Sequence, residues 1–434
     1  MGLQYMTELS RITAIFCMMM LPALRCAGGV PFMTAADSVL TAAGDSLAAT
    51  LPEGVDSDSP ADTSATPAFR FRSELRQQRR DSIRANKKVW ISVLGGPSYT
   101  PEASLGVGGA MLASFKMNRA DTVSLRSFVP VGFNISLNGT IVVAGSGTLY
   151  MKENHFRVYL KYEFRNEPAH YYGKGYNSIE SVHRSDTTTR FKKTSFLVFP
   201  RVVWELKPGF FLGPIAEISY ASSRDINPVM AADPYFNAFK PKYLNVGLGG
   251  IIQYDTRDDI STPTRGMLVS GTGKVFSHIL GSRYDYQMVD LEYRQFAKVF
   301  RPRSVLAWTA RTQIGFGDVP FTELPMFGTP NDLRGYYWGQ YRDKSMAYAI
   351  AEYRHMFGSE EAYRLGRFYS KLGFVVWGGA GTIGDTPAEW TKWKFNYGAG
   401  IRIQVQPHKN FRFDVGKAPG TKGLLFYMNM TEAF

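Results

Sequence analysis

Two stretches of this 434-residue chain carry side chains whose types and spacing could do chemistry. The first is Phe327–Asp343 (FGTPNDLRGYYWGQYRD), where Leu333, Arg334, Gly335 and Tyr336 stand at the centre among further Tyr, Trp and Arg. Three Tyr, a Trp and two Arg in this stretch bury area and seek partners, so a functional loop is expected and not a disordered one. The second is Tyr254-Asp255-Thr256-Arg257-Asp258, followed by Pro263-Thr264-Arg265-Gly266. Opposite charges among turn residues there make a tight, ion-paired turn. Catalytic patterns are poor by comparison. Gly145-Ser146-Gly147 does not complete a GxSxG nucleophile elbow, and His155, His170, His183, His278, His355 and His408 include no pair at ligand spacing. The expectation is therefore no enzyme, no catalytic residues, no metal and no cofactor.

The elements that must position these residues are strands. From Val89 onward the chain alternates apolar and polar residues with period two, in sixteen segments of which the first is 89–97 and the last 422–434. Between Trp393 and Val405, Trp393, Phe395, Tyr397, Ala399, Ile401, Ile403 and Val405 take one face. Lys394, Asn396, Gly398, Gly400, Arg402 and Gln404 take the other. Arg or Lys on a lipid face costs roughly 2–4 kcal/mol at the midplane, so the charged face must point inward. Connections alternate between short turns (Arg301-Pro302, His408-Lys409) and long loops (about 164–192, 223–242 and 318–343). An even number of strands with short turns at one end and long loops at the other predicts an all-β fold, a 16-stranded antiparallel transmembrane β-barrel over 89–434. Pro200 removes a ladder donor from the sixth strand, and Gly95, Gly96 and Pro97 would shorten the first.

The region before Val89 reads differently. Ile12–Leu24 is an apolar run of signal-peptide length preceded by Arg11 and followed by small residues at Ala27, Gly28 and Gly29, so residues 1–28 are expected to be a secretory leader. Both cysteines, Cys17 and Cys26, fall within it, which leaves the mature chain without disulfide or zinc–thiolate chemistry. Residues 29–88 read as a disordered stretch followed by an Arg-rich one, from Phe69 to Lys88. Much of the net charge of +13 is concentrated there, in Arg70, Arg72, Arg76, Arg79, Arg80, Arg84, Lys87 and Lys88. That segment fits an anionic surface or acidic partner, or else a solvated spacer. With no recognised nucleic-acid motif, the excess charge does not point to nucleic acid.

Taken together, YDTRD…PTRG and LRGY resemble the BamA/TamA-type surface-antigen superfamily of outer-membrane assembly barrels. The resemblance implies that YDTRD…PTRG (Tyr254, Asp255, Arg257, Asp258, Arg265, Gly266) is the periplasmic turn after strand eight. It also implies that LRGY (Leu333, Arg334, Gly335, Tyr336) is a loop between strands eleven and twelve that folds back into the barrel. Arg334 then pairs with inward carboxylates. Glu352, in AIAEYRH, takes the strand-twelve position. The strand-thirteen Asp of the family is replaced by Gly379-Ala380-Gly381, which leaves Arg334 with Glu352 alone or with help from Asp290 or Glu292 of strand ten. The final GLLFYMNMTEAF, with Phe426 and Phe434, is similar to the C-terminal insertion signal of such barrels. The family's periplasmic POTRA domains find no room between leader and strand one.

The function implied is protein insertion or translocation in the outer membrane of a Gram-negative bacterium. The alternatives are an accessory or structural barrel of a larger outer-membrane complex, or a passive pore. Expected partners are outer-membrane lipids and lipopolysaccharide, with other outer-membrane assembly or periplasmic proteins.

Overall fold

The computed structural model describes residues 89–117, 126–151, 155–259, 262–301, 303–357, 371–406, 409–421, 423–429 and 432–434. The expected leader (1–28) and the segment 29–88 lie outside the described residues. Alternation in the remainder produces sixteen strands that close on themselves. They are β1 (Val89–Thr100), β2 (Ser104–Phe115), β3 (Ser127–Ser136), β4 (Ile141–Met151), β5 (Phe156–His170) and β6 (Arg190–Lys207). Then come β7 (Phe210–Arg224), β8 (Lys242–Asp255), β9 (Gly266–Phe276), β10 (Tyr286–Lys298) and β11 (Ser304–Gly317). The last five are β12 (Ser345–Met356), β13 (Leu372–Gly384), β14 (Lys394–Gln406), β15 (Lys409–Lys417) and β16 (Leu425–Asn429). Each strand pairs antiparallel with its sequence neighbours, and β16 returns to β1. The sixteen-stranded barrel read from the sequence is borne out.

The pleat sorts side chains as expected for lipid outside and polar groups inside. On β14, Phe395, Tyr397 and Ile401 are exposed outward, while Asn396 and Arg402 are buried in the lumen. Among the described residues no helix is long and apolar enough to cross a membrane. Connections 171–189, 225–241 and 318–344 gather at one end of the barrel, here the loop end; the short β6–β7 and β10–β11 connections lie at the opposite, turn end. At the loop end lies a buried apolar cluster that includes Tyr171, Phe191, Met230, Phe236, Phe276 and Phe321.

Two expectations need correction. The first strand is not cut short at Gly95–Pro97: it runs to Thr100, with Gly95↔Gly109, Gly96↔Gly108 and Pro97↔Val107 in register on β2. Glycine faces glycine here, and a Cβ on Gly95 would stand 3.1 Å from the Gly108 carbonyl oxygen, so the glycines permit the pairing instead of ending it. Pro97 sits on a strand whose other edge is almost unpaired, where a missing N–H costs least. The last strand, in contrast, is shorter than 422–434 and spans only Leu425–Asn429. Its final residues turn inward for a reason of charge described below. Pro200 remains in β6 opposite Leu160. The β6–β7 register carries past it unchanged, from Val198↔Ile218 to Arg201↔Ile215, and shifts between Glu205 and Lys207.

The lipid-outside arrangement is testable by introducing charge on each face. Ile401→Lys places an ammonium on the outer face near the middle of β14 and is expected to cost about 2–4 kcal/mol. Gln313→Lys is expected to cost far less, because Gln313 faces the lumen and already donates to Asp290 at 3.0 Å. Denaturant titration in lipid vesicles measures both; equal costs would contradict the assignment of faces.

Candidate functional site

The loop between β11 and β12 leaves the loop end, turns down into the lumen and returns. Its limbs are pinned by a short ladder, Met326↔Arg342 and Phe327↔Tyr341. An aromatic stack sits beside the ladder, with Phe327–Tyr341 centroids 5.2 Å apart and Tyr336–Tyr341 edge-on at 5.1 Å. Asp332 shapes the descent: its Oδ1 accepts from Gly328 N at 2.8 Å and Thr329 N at 2.7 Å. Leu333, Arg334 and Tyr336 are each fully buried or nearly so.

Gly335 is required twice over. Its φ of +118° lies in the region that favours glycine, and a Cβ there would stand 2.7 Å from the Lys417 carbonyl carbon. Gly416 answers from the barrel wall, since a Cβ on it would lie 2.8 Å from the Arg334 carbonyl. Loop and β15 therefore meet backbone to backbone. Gly335 N donates to the Tyr427 hydroxyl of β16 at 2.9 Å, and Asn396 Nδ2 of β14 donates to Arg334 O at 2.8 Å.

The Arg334 guanidinium forks between two carboxylates, Glu352 of β12 and Asp414 of β15, all three with fully buried side chains. It lies 3.7 Å from the ring centroid of Trp377 on β13. The sequence reading named Glu352 and looked to β10 for a second acid; the structure puts that acid on β15 instead. Asp290 is engaged by Arg311 at 2.6 Å, and Glu292 by Arg294 at 2.8 Å. The β13 position without its Asp is Gly379, where a Cβ would stand 2.9 Å from the Ala349 carbonyl oxygen and 2.8 Å from the Ile350 side chain.

Around this pair the charges continue. Arg354 Nε donates to Glu352 at 2.9 Å, Arg402 Nη1 to Asp414 at 2.7 Å, and Arg412 Nε lies 3.5 Å from Asp414. Arg412 Nη2 donates to Pro330 O of the loop at 3.0 Å. Glu432, beyond the end of β16, accepts from Arg402 Nε at 2.7 Å and from Asn410 Nδ2 at 3.0 Å. A buried carboxylate or guanidinium survives only when paired, so these strands and the loop hold one another in place. Sequence reasoning missed Asp414, Arg412 and Glu432, and it faced Arg402 inward without finding its partners. The parity of Asn410, Arg412 and Asp414 on β15 would have turned them inward, but not shown which inward groups meet.

The remaining expected residues lie elsewhere. In the β8–β9 turn, Arg257 forks onto Asp255 through Nε at 2.9 Å and Nη2 at 2.8 Å. Asp258 accepts from Thr264 N at 2.8 Å and Arg265 N at 3.1 Å. Gly266 has φ +94° and would collide with Thr256 if it carried a Cβ. Tyr254 is exposed at the outer surface. This turn knits itself together, and none of the contacts just described reaches Arg334. Phe426 and Phe434, expected to act together, are on opposite sides of the wall: Phe426 is exposed outward and Phe434 buried inside. Among the described residues no group of His, Cys, Asp or Glu could hold a metal ion.

The β1–β16 junction is unlike every other seam. Among the described residues only Tyr99↔Met428 is in register, whereas β1 and β2 pair from Val89 through Thr100. The loop touches both flanks of this junction. It meets β16 at Tyr427 and the β1–β2 turn at Glu102, whose Oε1 accepts from Trp338 N at 2.9 Å. Burial pushes the Glu102 carboxyl up to about 7.

The architecture is thus that of a closed sixteen-stranded barrel whose loop between β11 and β12 returns into the lumen and is locked there by buried charge. The chain belongs to the Omp85 superfamily, whose domain model matches residues 104–434. The BamA/TamA-type reading is thereby borne out. Among solved structures, BamA from Haemophilus ducreyi lacking POTRA domains 1-3 is 14% identical, with 79% of this chain and 70% of that one covered at a TM-score of 0.54. CdiB from Escherichia coli is 11% identical over 79% of this chain and 62% of its own length, at a TM-score of 0.50. At these identities the likeness is one of fold. No curated protein matches the chain.

Two predictions follow the geometry of the site. Arg334→Ala leaves Glu352 and Asp414 buried without their shared cation and is expected to destabilise the barrel by about 3–5 kcal/mol. Glu352→Ala should be similar, and the double variant should cost less than the sum by about 1–3 kcal/mol in unfolding titrations; additivity would show that the two are not coupled. For Glu102, a carboxyl whose pKa rises on folding favours the folded state while protonated. That contribution is complete below the ordinary carboxylate value and is lost as pH climbs to about 7. Glu102→Gln should therefore match wild type at pH 5 and exceed its Tm at pH 8; a constant difference between the two pH values would refute this.

Proposed function

We propose that this chain works in the outer membrane of a Gram-negative bacterium as a barrel that inserts or translocates polypeptides, reaching that membrane by way of the leader in residues 1–28. The single observation that carries this reading is the β1–β16 junction. It is stapled at the loop end through Tyr427 and Glu102, and among the described residues it is held by one registered pair, Tyr99↔Met428, with no registered partner for Val89–Ser98 on that side. An unpaired strand edge is a template for another strand. An incoming segment could add to β1 there and pass into the membrane through the opened wall. Lipids and lipopolysaccharide would contact the outer face, and periplasmic or outer-membrane assembly proteins would deliver the client. The lumen filled by the loop and its charges weighs against free conduction through the barrel.

Depletion of the protein, with rescue by wild type or by Arg334→Ala, tests this in cells. Quantitative outer-membrane proteomics should show several barrel proteins falling together and recovering with wild type only. An unchanged proteome, or loss of one complex alone, would replace the insertion reading with that of an accessory barrel.

A further inference from the structure

A second group of charges lies apart from the Arg334 network, at the loop end of the barrel. A cavity of about 50 Å³ opens there between the β11–β12 loop, the ends of β5 and β6, and the connection that joins those two strands. That volume holds a few waters, or one small oxyanion in their place. Its charged lining is Glu102, Glu167, His170, Arg184, Lys193 and Arg342. The acids are already engaged. Glu167 accepts from Arg165 Nη1 at 3.1 Å, and Glu102 Oε1 accepts from Trp338 N at 2.9 Å. His170 Nδ1 bonds the Thr189 hydroxyl at 2.9 Å, and its Nε2 lies 3.8 Å from Asp186. The other three have no such partner: among the described residues Arg184, Lys193 and Arg342 are not within ion-pair distance of any carboxylate.

Each of the three is held by contacts that leave its charge unmet. Arg342 donates through Nε to Gly339 O at 3.1 Å and through Nη1 to Phe321 O at 3.2 Å, while Nη2 reaches only the Met326 sulfur at 3.6 Å, a weak acceptor. Its guanidinium lies 4.1 Å from the Phe321 ring centroid, and burial without an acid beside it pushes it down to about 10. Arg184 lies 4.3 Å from the Tyr337 ring centroid and is exposed, so the cavity can be reached from outside the loop end. Lys193 shares the inward parity of Phe191 and Val203 on β6. Around Arg334 every arginine shares a carboxylate, whereas here three cations face a space that supplies none. We propose that this cavity is a phosphate-binding site, in which one phosphate group is bridged by Arg342, Lys193 and Arg184. A tetrahedral oxyanion can turn an oxygen toward each of three cations carried by three different segments, which a planar carboxylate does less well. Glu102 is suited to the same guest: its Oε2 is buried without a hydrogen-bond partner, and with the carboxyl pushed up to about 7 it carries a proton to donate below neutrality. A bound phosphate ties the β11–β12 loop, through Arg342, to β6 and to the β5–β6 connection. A soluble phosphate and the phosphates of lipopolysaccharide offer the same chemistry, and the experiment separates them. The site does not depend on the insertion reading.

The test is titration of the purified full-length barrel in detergent micelles with inorganic phosphate, at pH 6 and at an ionic strength held constant with chloride. Binding is read by calorimetry and by Tm. Wild type should bind saturably and melt higher with phosphate, and Lys193→Gln and Arg342→Gln should each weaken binding about tenfold. Lys192→Gln removes the same charge from the opposite parity of β6, where Lys192 is exposed beside Asp225, and should bind as wild type does. Without phosphate, Lys193→Gln should melt no lower than wild type, which a lysine needed only for packing would not allow. If Arg342→Gln does not fold, Lys193→Gln decides alone. Competition by intact but not by dephosphorylated lipopolysaccharide assigns the phosphate to lipid, and its absence assigns it to a soluble ligand. No saturable binding by wild type, undiminished binding by Lys193→Gln, or an equal loss in Lys192→Gln would overturn the proposal.

Discussion

The loop between β11 and β12, three strands and the residues Glu432–Phe434 are tied together around one buried cation. Arg334 is carried into a lumen where an unpaired guanidinium would be prohibitively costly, and it becomes tolerable only through Glu352 and Asp414. Those carboxylates are shared with Arg354, Arg402 and Arg412, so the position of a loop is linked to three strands and to the tail after β16. Packing alone would not give this specificity. The aromatic stack of Phe327, Tyr336 and Tyr341 could tolerate small shifts, whereas a forked guanidinium between two carboxylates has one productive geometry.

The same loop bridges a junction that has almost no ladder of its own. Every other pair of neighbouring strands is held by a longer run of main-chain pairs, which is why β1 and β16 stand out. The loop's contacts at Tyr427 and Glu102 substitute side-chain and loop bonds for the missing ladder at one end. Rigidity at the loop end and openness toward the turn end thus arise from one element. The tail adds to the asymmetry by withdrawing Glu432 from the wall to the arginines inside.

Local physics made much of this readable in the residues. Period-two alternation fixed the strands and their faces, and it placed Arg402 and Glu352 inward because lipid would not accept them. The Phe327–Asp343 stretch was legible as a long loop between strands, though the backbone contact of Gly335 with Gly416 was not. What the alternation could not supply was partnership across strands distant in sequence. Asp414 is 80 residues from Arg334, and nothing in the pattern of either segment ranks it above Asp290. The inward turn of Glu432 was hidden for a related reason. Its parity conflicts with a lipid face, but the conflict can be resolved by a longer aqueous margin or by bending, and only the arginines of β12 and β14 decide for bending.

The spacing of the two carboxylates also sets an order of events when the chain folds. Glu352 follows Arg334 by 18 residues and can reach it as soon as β11 and β12 pair. Asp414 arrives only with the final hairpin, and Gly335 finds Tyr427 later still. Contacts of such long sequence separation are slow to form. The loop therefore completes its docking as one of the last steps of barrel closure, and a nascent barrel halted before β15 carries a half-neutralised Arg334 as the mark of its unfinished state.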